Sequence, residues 1–177
     1  MSDIPVEAAY AFCPRCGIEN NDIGSIPFHC SSCEATLFFG PVAAVGGLIV
    51  NQRNELLFVR RARNPGLGKW GLPGGFVDRD ESVEEALARE VLEETSLKVR
   101  QARYLMSRPN RYAYRGMISP VVDFFFECQV HSLVDLSLAA DELDHHIWVR
   151  PGAEHLGNMA FESNRIAVEL WMQENPE

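Results

Sequence analysis

Glu90, Glu93 and Glu94 lie in the run Arg89-Glu90-Val91-Leu92-Glu93-Glu94, close to the end of a segment whose pattern predicts a helix over about Val83 to Glu94. At about 100° per residue, Glu90 and Glu94 share an azimuth with Val83 and Leu87, and Glu93 lies one step to the side. The stripe is therefore apolar at its start and carboxylate at its end, whereas a solvated charged face would lie opposite the apolar one. Inward carboxylates repel one another and lose hydration unless a cation joins them. Hard oxygen ligands of this kind suit Mg²⁺ or Mn²⁺.

A second constellation stands near the N-terminus. Cys13-Pro14-Arg15-Cys16-Gly17 is followed by Cys30-Ser31-Ser32-Cys33. Each Cys-x-x-Cys turn can place two thiolates on one ion, and two turns complete a tetrahedral set. The pattern resembles a zinc ribbon, with Zn²⁺ held by Cys13, Cys16, Cys30 and Cys33. A rubredoxin-like iron site has the same spacing, and two disulfides are the remaining reading, disfavoured in a reducing compartment. Four cysteines fill the shell, so the site is structural rather than catalytic. Cys128, in the apolar run Phe124-Phe125-Phe126-Glu127-Cys128, reads as a packed strand residue.

The elements that must position the glutamates are legible around them. Ser82 and Glu85 form a Ser-x-x-Glu capping box. Just before it, Leu72-Pro73-Gly74-Gly75-Phe76-Val77-Asp78 carries two glycines that allow a tight backbone close to the helix. The full string is Gly75, five residues, Glu81, seven residues, Arg89-Glu90-Val91, one residue, Glu93-Glu94, one residue, Ser96-Leu97. It resembles the Nudix box of pyrophosphohydrolases at every charged position. Ser96 stands where the family has Gly, a position that ends the helix with positive φ. The resemblance implies an α/β fold, the Nudix α/β/α sandwich with a mixed sheet. It further implies that Glu81 and Arg89 pair to fix the loop, and that the Gly74 carbonyl is an added ligand for the catalytic metal.

From Val42 onward, Val45–Val50 reads as a buried strand, Asn51–Asn54 as a turn and Glu55–Arg60 as its antiparallel partner. A loop over 62–72 leads to the glycines. Strands are predicted near Arg100–Met106, Pro120–Val130 and His145–Val149, a loop over 131–141, and a last helix over Ser163–Gln173. The expected division is a zinc ribbon over residues 1–40 and a Nudix domain over 41–177.

A net charge of −9 argues against nucleic-acid binding through bulk charge, and between residues 1 and 40 Arg15 is the one Lys or Arg. A capped RNA end is the nucleic acid that stays compatible. No stretch is long and apolar enough to span a membrane, and the first residues lack a basic-then-apolar leader, which predicts a cytoplasmic protein. A homodimer is compatible with the chain.

The layout of ribbon and then box is similar to the NADH pyrophosphatase branch of the family. That branch carries Ser-Gln-Pro-Trp-Pro-Phe-Pro-Gln-Ser, where this chain has Ser107-Arg108-Pro109-Asn110-Arg111-Tyr112-Ala113-Tyr114-Arg115. Ser107 and Pro109 match and Tyr112 replaces Phe, while the Trp, two prolines and the final Gln-Ser are absent. In the same branch a Glu six residues before a strand Trp serves the metal cluster, which here is Glu142 before Trp148. The adjacent His145 and His146 would face opposite sides of their strand. The expected chemistry is metal-dependent hydrolysis of a nucleoside diphosphate linked to another moiety, with ADP-ribose or a dinucleotide such as NADH favoured. Glu90, Glu93, Glu94 and Glu142 are the catalytic candidates. Arg60 or Arg61 is a candidate phosphate clamp, and Tyr112 or Tyr114 a stacking surface for a base. Tyr114 also lies where diadenosine polyphosphate hydrolases carry a tyrosine. The rival function is a nucleotide-sensing or binding module without catalysis, with the ribbon as a protein or RNA contact.

Overall fold

The computed structural model describes residues 3–176, which divide into two compact units. The first unit is the segment through Val42 together with Arg111–Val121. The second is Ala43–Asn110 together with the chain from Val122 onward. Arg111–Val121 thus groups with the N-terminal segment in space.

In the first unit, β1 (Ile4–Pro5) runs parallel to Met117–Ile118. A 3-10 turn over Val6–Ala9 follows, and β2 (Phe28–His29) and β3 (Thr36–Leu37) form an antiparallel ribbon. The buried core of this unit is Cys13, Phe28 and Cys30, with Tyr10, Leu37 and Phe39 packed around it. So small an apolar core does not offset the entropy of ordering the chain, which leaves a role for a metal cross-link.

In the second unit, β4 (Val42–Ile49) and β5 (Leu56–Arg61) do not form the predicted hairpin. The turn between them is present: Asn54 N–H donates to the Asn51 carbonyl at 3.1 Å. One bridge, Val50 to Leu56, follows it, and then the strands part. β5 pairs instead with β6 (Trp70–Gly71) and β9 (Leu143–Val149). The reason lies at the edge of β4. Val45 and Gly47 donate to the carbonyls of Gly75 and Pro73, each at 2.8 Å, and Val77 N–H donates to the Ala43 carbonyl at 3.0 Å. The Gly-Gly loop occupies the edge that the hairpin partner would have taken, while β8 (Met117–Val130) takes the other.

Helix α1 (Val83–Thr95) covers one face and α3 (Glu162–Glu174) the other; the short α2 (Ala153–Gly157) precedes α3 and was not predicted. Ala86, Leu87 and Val91 of α1 pack on Val45, Ile49, Leu57, Val59, Phe126 and Cys128. Ala167, Val168 and Trp171 of α3 pack on Leu48, Leu56, Phe58 and Phe125. Alternate residues of the same strands enter opposite cores, so each central strand reads as an unbroken apolar run rather than an alternation. Cys128 is fully buried, as expected, and burial pushes its thiol up to about 12.

β7 (Val99–Tyr114) and β8 are longer than predicted. Arg115 (φ 49°) and Gly116 (φ 84°) make a two-residue reversal with both residues left-handed, the geometry that matches strand twist. The run Ser107–Tyr114, which lies outside the predicted strands, is therefore strand. Pro109 is tolerated because, among the described residues, β7 pairs only with β8 and forms a sheet edge.

Candidate active site and metal centre

Helix α1 begins as its sequence dictates. Ser82 Oγ accepts from Glu85 N–H at 3.2 Å, and the Glu85 carboxylate accepts from Ser82 N–H at 2.9 Å. It ends on Ser96, which takes the left-handed conformation (φ 60°) and donates to the Leu92 carbonyl at 2.8 Å. Serine thus occupies the glycine position of the motif without altering the cap.

Between these ends, Glu94 is only 6% exposed. Its Oε2 accepts from Gly74 N–H at 2.8 Å. Burial raises the Glu94 carboxyl to about 8; Gly74 N–H opposes this, and Glu90 and Glu142 add to it. Burial also raises Glu90, with Arg89 opposing and Glu93 and Glu142 adding. Glu93, with a side chain 60% exposed, stands at the rim. Glu90 thus feels the charges of Glu93 and Glu142, and Glu94 those of Glu90 and Glu142. Hydrogen-bonded to a single backbone donor and facing other carboxylates, Glu94 fits a hard divalent cation. Among the described residues no backbone donor takes the Gly74 carbonyl, whereas β4 engages those of Pro73 and Gly75 on either side. Among the described residues these glutamates are not gathered as tightly as the cysteines are.

Arg89 fixes this arrangement. Its Nε and Nη2 donate to the two oxygens of Glu81, both at 2.9 Å, and Nη2 also reaches the Phe76 carbonyl at 3.0 Å. Nη1 bridges Glu90 (2.8 Å) and Glu93 (3.1 Å). The fork lowers the Glu81 carboxyl below its usual range, with help from Asp78 N–H. One arginine thereby ties the loop after the glycines to the face of the helix.

The other candidates separate. Arg60 is engaged by Asp144, Nε to Oδ1 at 2.7 Å. Glu142 pairs with Arg63, and the Glu142 carbonyl accepts from Ala62 N–H at 2.7 Å. Arg61 Nε donates to the Pro65 carbonyl at 2.6 Å, and its guanidinium lies 5.3 Å from the Phe161 ring centre. Tyr112 and Tyr114 belong to the first unit, with rings 6.2 Å apart and Arg115 over Tyr114. His145 is exposed and His146 partly covered, as strand alternation requires. Sequence reasoning missed Arg63, Asp144 and Phe161. Two of their contacts join residues 79 and 84 positions apart, a separation that leaves no local signal.

In the first unit, the cysteine turns are copies of one another. Gly17 and Glu34 are left-handed (φ 74° and 59°) and donate to the Cys13 and Cys30 carbonyls, both at 2.9 Å. Cys13 and Cys30 donate in turn to the Ile18 and Ala35 carbonyls, at 2.8 and 2.9 Å. The four sulfurs lie within 4.8 Å of one another, with Cys13–Cys33 and Cys16–Cys30 both at 3.7 Å. A Zn–S bond of about 2.3 Å implies a tetrahedral edge of about 3.8 Å, so the cluster has the size and donors of a Cys₄ zinc ribbon. Backbone N–H groups of Cys16 and Arg15 lower the Cys13 thiol, and those of Cys33 and Ser32 the Cys30 thiol; against Ala35 N–H, burial and the neighbouring sulfurs raise the Cys33 thiol, so the full set of thiolates needs a cation among them.

Known proteins resemble this chain over parts of its length. An ADP-ribose pyrophosphatase of Methanocaldococcus jannaschii is 44% identical over 88 residues, 49% of this chain and 51% of that protein. An NAD-capped RNA hydrolase of Vibrio parahaemolyticus is 29% identical over 117 residues, 64% of this chain and 43% of that protein. The chain thus spans about half, or less, of the length of these relatives. Among solved structures, a MutT NUDIX hydrolase from Burkholderia pseudomallei superposes with a TM-score of 0.61 at 27% identity, covering 74% of this chain and 98% of that one. The NUDIX domain itself matches residues 40–169, and the chain belongs to that family.

Proposed function

We propose that this protein is a divalent-metal-dependent pyrophosphohydrolase that cleaves a nucleoside diphosphate linked to a second moiety, with ADP-ribose the leading substrate. The observation that carries the reading is Glu94, a buried carboxylate held by Gly74 N–H and surrounded electrostatically by Glu90 and Glu142. Mg²⁺ or Mn²⁺ held by Glu90, Glu93, Glu94 and the Gly74 carbonyl would neutralise phosphate charge and lower the pKa of a water. Glu142, which acts on both Glu90 and Glu94, serves as proton acceptor or as a further ligand. Arg89 positions Glu90 and Glu93 rather than touching substrate.

The choice of ADP-ribose rests on the Methanocaldococcus jannaschii relative and on what replaces the NADH signature. Asn110 stands in place of its Trp, and Asn110 Nδ2 donates to Asp123 Oδ2 at 2.9 Å. Burial raises the Asp123 carboxyl, so this asparagine satisfies a buried acid instead of offering an aromatic surface. ADP-ribose is expected to exceed NADH in kcat/KM by about tenfold, the scale of about 1–3 kcal/mol set by changed apolar contacts. Both are measured under the same metal conditions, and a clear NADH preference overturns the assignment. The Vibrio parahaemolyticus relative supports an NAD-capped RNA end as the second reading, so a capped oligonucleotide belongs in the same panel. Tight binding of all these ligands without turnover, with Mg²⁺ and Mn²⁺ each supplied, identifies a sensor instead.

For the ribbon we assign Zn²⁺ in a structural role, because four thiolates leave no open position. Protein purified without added zinc is expected to hold one zinc per chain by elemental analysis, and iron or no metal contradicts the assignment. Cys16→Ser is expected to unfold the first forty or so residues, read by their protease sensitivity, more than it lowers hydrolysis.

A further inference from the structure

We propose that Arg61 is the phosphate-binding cation of this site. Its guanidinium is fastened to the Pro65 carbonyl and the Phe161 ring, leaving the two terminal nitrogens to grip a nucleotide diphosphate and select it over a monophosphate. The proposal rests on the nucleotide reading above and chooses among three arginines, Arg60, Arg61 and Arg63, that sequence alone leaves equivalent.

Strand alternation makes the first distinction. Val59 packs in the core beneath α1, and Phe58 in the core beneath α3. Arg61 therefore falls on the face of α1, whose buried stripe ends in Glu90 and Glu94, and Arg60 falls on the opposite face. The pairing of β5 with β9 agrees. Arg60 lies opposite His145 and Arg61 opposite Leu143, so Asp144 is extruded as a bulge. Leu143 enters the α1-side core, which places its partner Arg61 on that side. A bulge re-aims side chains next to it. Here it delivers Asp144 to Arg60 on the other face.

Partnership makes the second distinction. Arg60 is paired with Asp144, and Arg63 with Glu142. Among the described residues no carboxylate pairs with Arg61. Its Nε is used by Pro65 and its plane is set against Phe161, while Nη1 and Nη2 have no protein acceptor there. The backbone on both sides is closed: Arg61 N–H donates to the Lys69 carbonyl at 3.0 Å, and Gly68 N–H to the Arg61 carbonyl at 2.8 Å. A half-buried guanidinium held at its stem and open at its tip matches the paired oxygens of a phosphate. The charge of Arg61 is felt at Glu94, where it favours the carboxylate form. The glutamates with their cation take one phosphate, and Arg61 supplies the fixed positive charge for the second.

The test is calorimetric titration of the full chain with ADP and with AMP, both in Mg²⁺. Arg61→Ala is expected to weaken ADP by about 10- to 100-fold, the loss of hydrogen bonds to a charged group, and to change AMP by less than about threefold. Arg61→Lys is expected to recover part of the ADP affinity, because an ammonium restores charge but not the fork. Arg61→Met keeps an apolar stem over Phe161 and carries the test if the alanine variant does not fold. Equal weakening of ADP and AMP, unchanged ADP binding, or an equal ADP loss in Arg60→Ala overturns the proposal. If the wild-type protein binds no ADP, the nucleotide reading itself fails. Inorganic pyrophosphate against orthophosphate then judges Arg61 by the same criteria.

Discussion

Glu94→Gln lowers turnover by on the order of 10² or more while the fold stays intact, because it removes a charge and keeps the shape. The amide oxygen of glutamine can still accept from Gly74 N–H, so the loop keeps its anchor. Steady-state kinetics of the purified variant on ADP-ribose check this, and a wild-type kcat would remove the helix from the chemistry. The same variant has an opposite effect on stability. In protein free of Mg²⁺ and Mn²⁺, Glu94 titrates at about 8, against 4.5 for an ordinary glutamate. Between those values the folded protein holds a proton that the unfolded chain has released. The stabilisation is complete below the lower value and is lost as pH rises through the higher one. Urea unfolding should show wild-type protein losing stability relative to Glu94→Gln from about pH 5 to about pH 8, by at least about 1 kcal/mol. A residue kept for metal chemistry at a cost in stability behaves this way, and a structural carboxylate does not.

Gly74→Ala and Gly75→Ala should fail in different ways. A Cβ on Gly74 would stand 2.1 Å from the Val45 carbonyl oxygen, and the residue already sits at φ 149°. Neither backbone can give way without breaking the ladder to β4, so a loss of about 2–4 kcal/mol, or failure to fold, is expected. A Cβ on Gly75 would instead meet the Glu90 carboxylate at 2.6 Å. That is the end of a side chain, which can swing aside. The expected result is a stability change within about 1 kcal/mol and a fall in turnover of about tenfold or more, since displacing a reacting group by an ångström is costly. Thermal unfolding and kcat measured on both variants decide the matter. A stable, active Gly74→Ala or a fully active Gly75→Ala contradicts this geometry.

The parts of the site that were legible in the sequence are those made by near neighbours in the chain. Ser82 and Glu85 define the start of α1, and the four-residue step from Glu90 to Glu94 defines its buried stripe. Each Cys-x-x-Cys turn closes through residues four and five positions on. What could not be read depends on distant partners or on patterns that carry no contrast. Leu56–Val59 is buried on both faces, so it could not tell whether Arg60 or Arg61 shares the side of α1. The β4–β5 hairpin failed because its edge was taken by a loop more than twenty residues away, at Pro73–Val77. The β7–β8 reversal uses Arg115 in a left-handed conformation, a residue that does not announce a turn.

The most direct test of the central claim is incubation of purified wild-type protein with ADP-ribose and Mg²⁺ or Mn²⁺, with the products quantified beside the Glu94→Gln variant. Hydrolysis of the diphosphate bond predicts AMP and ribose 5-phosphate in equal amounts, dependent on the added cation and reduced about a hundredfold or more in the variant. Release of these products at the same rate without Glu94, or no cleavage of any nucleoside diphosphate derivative in the presence of either metal, would contradict it.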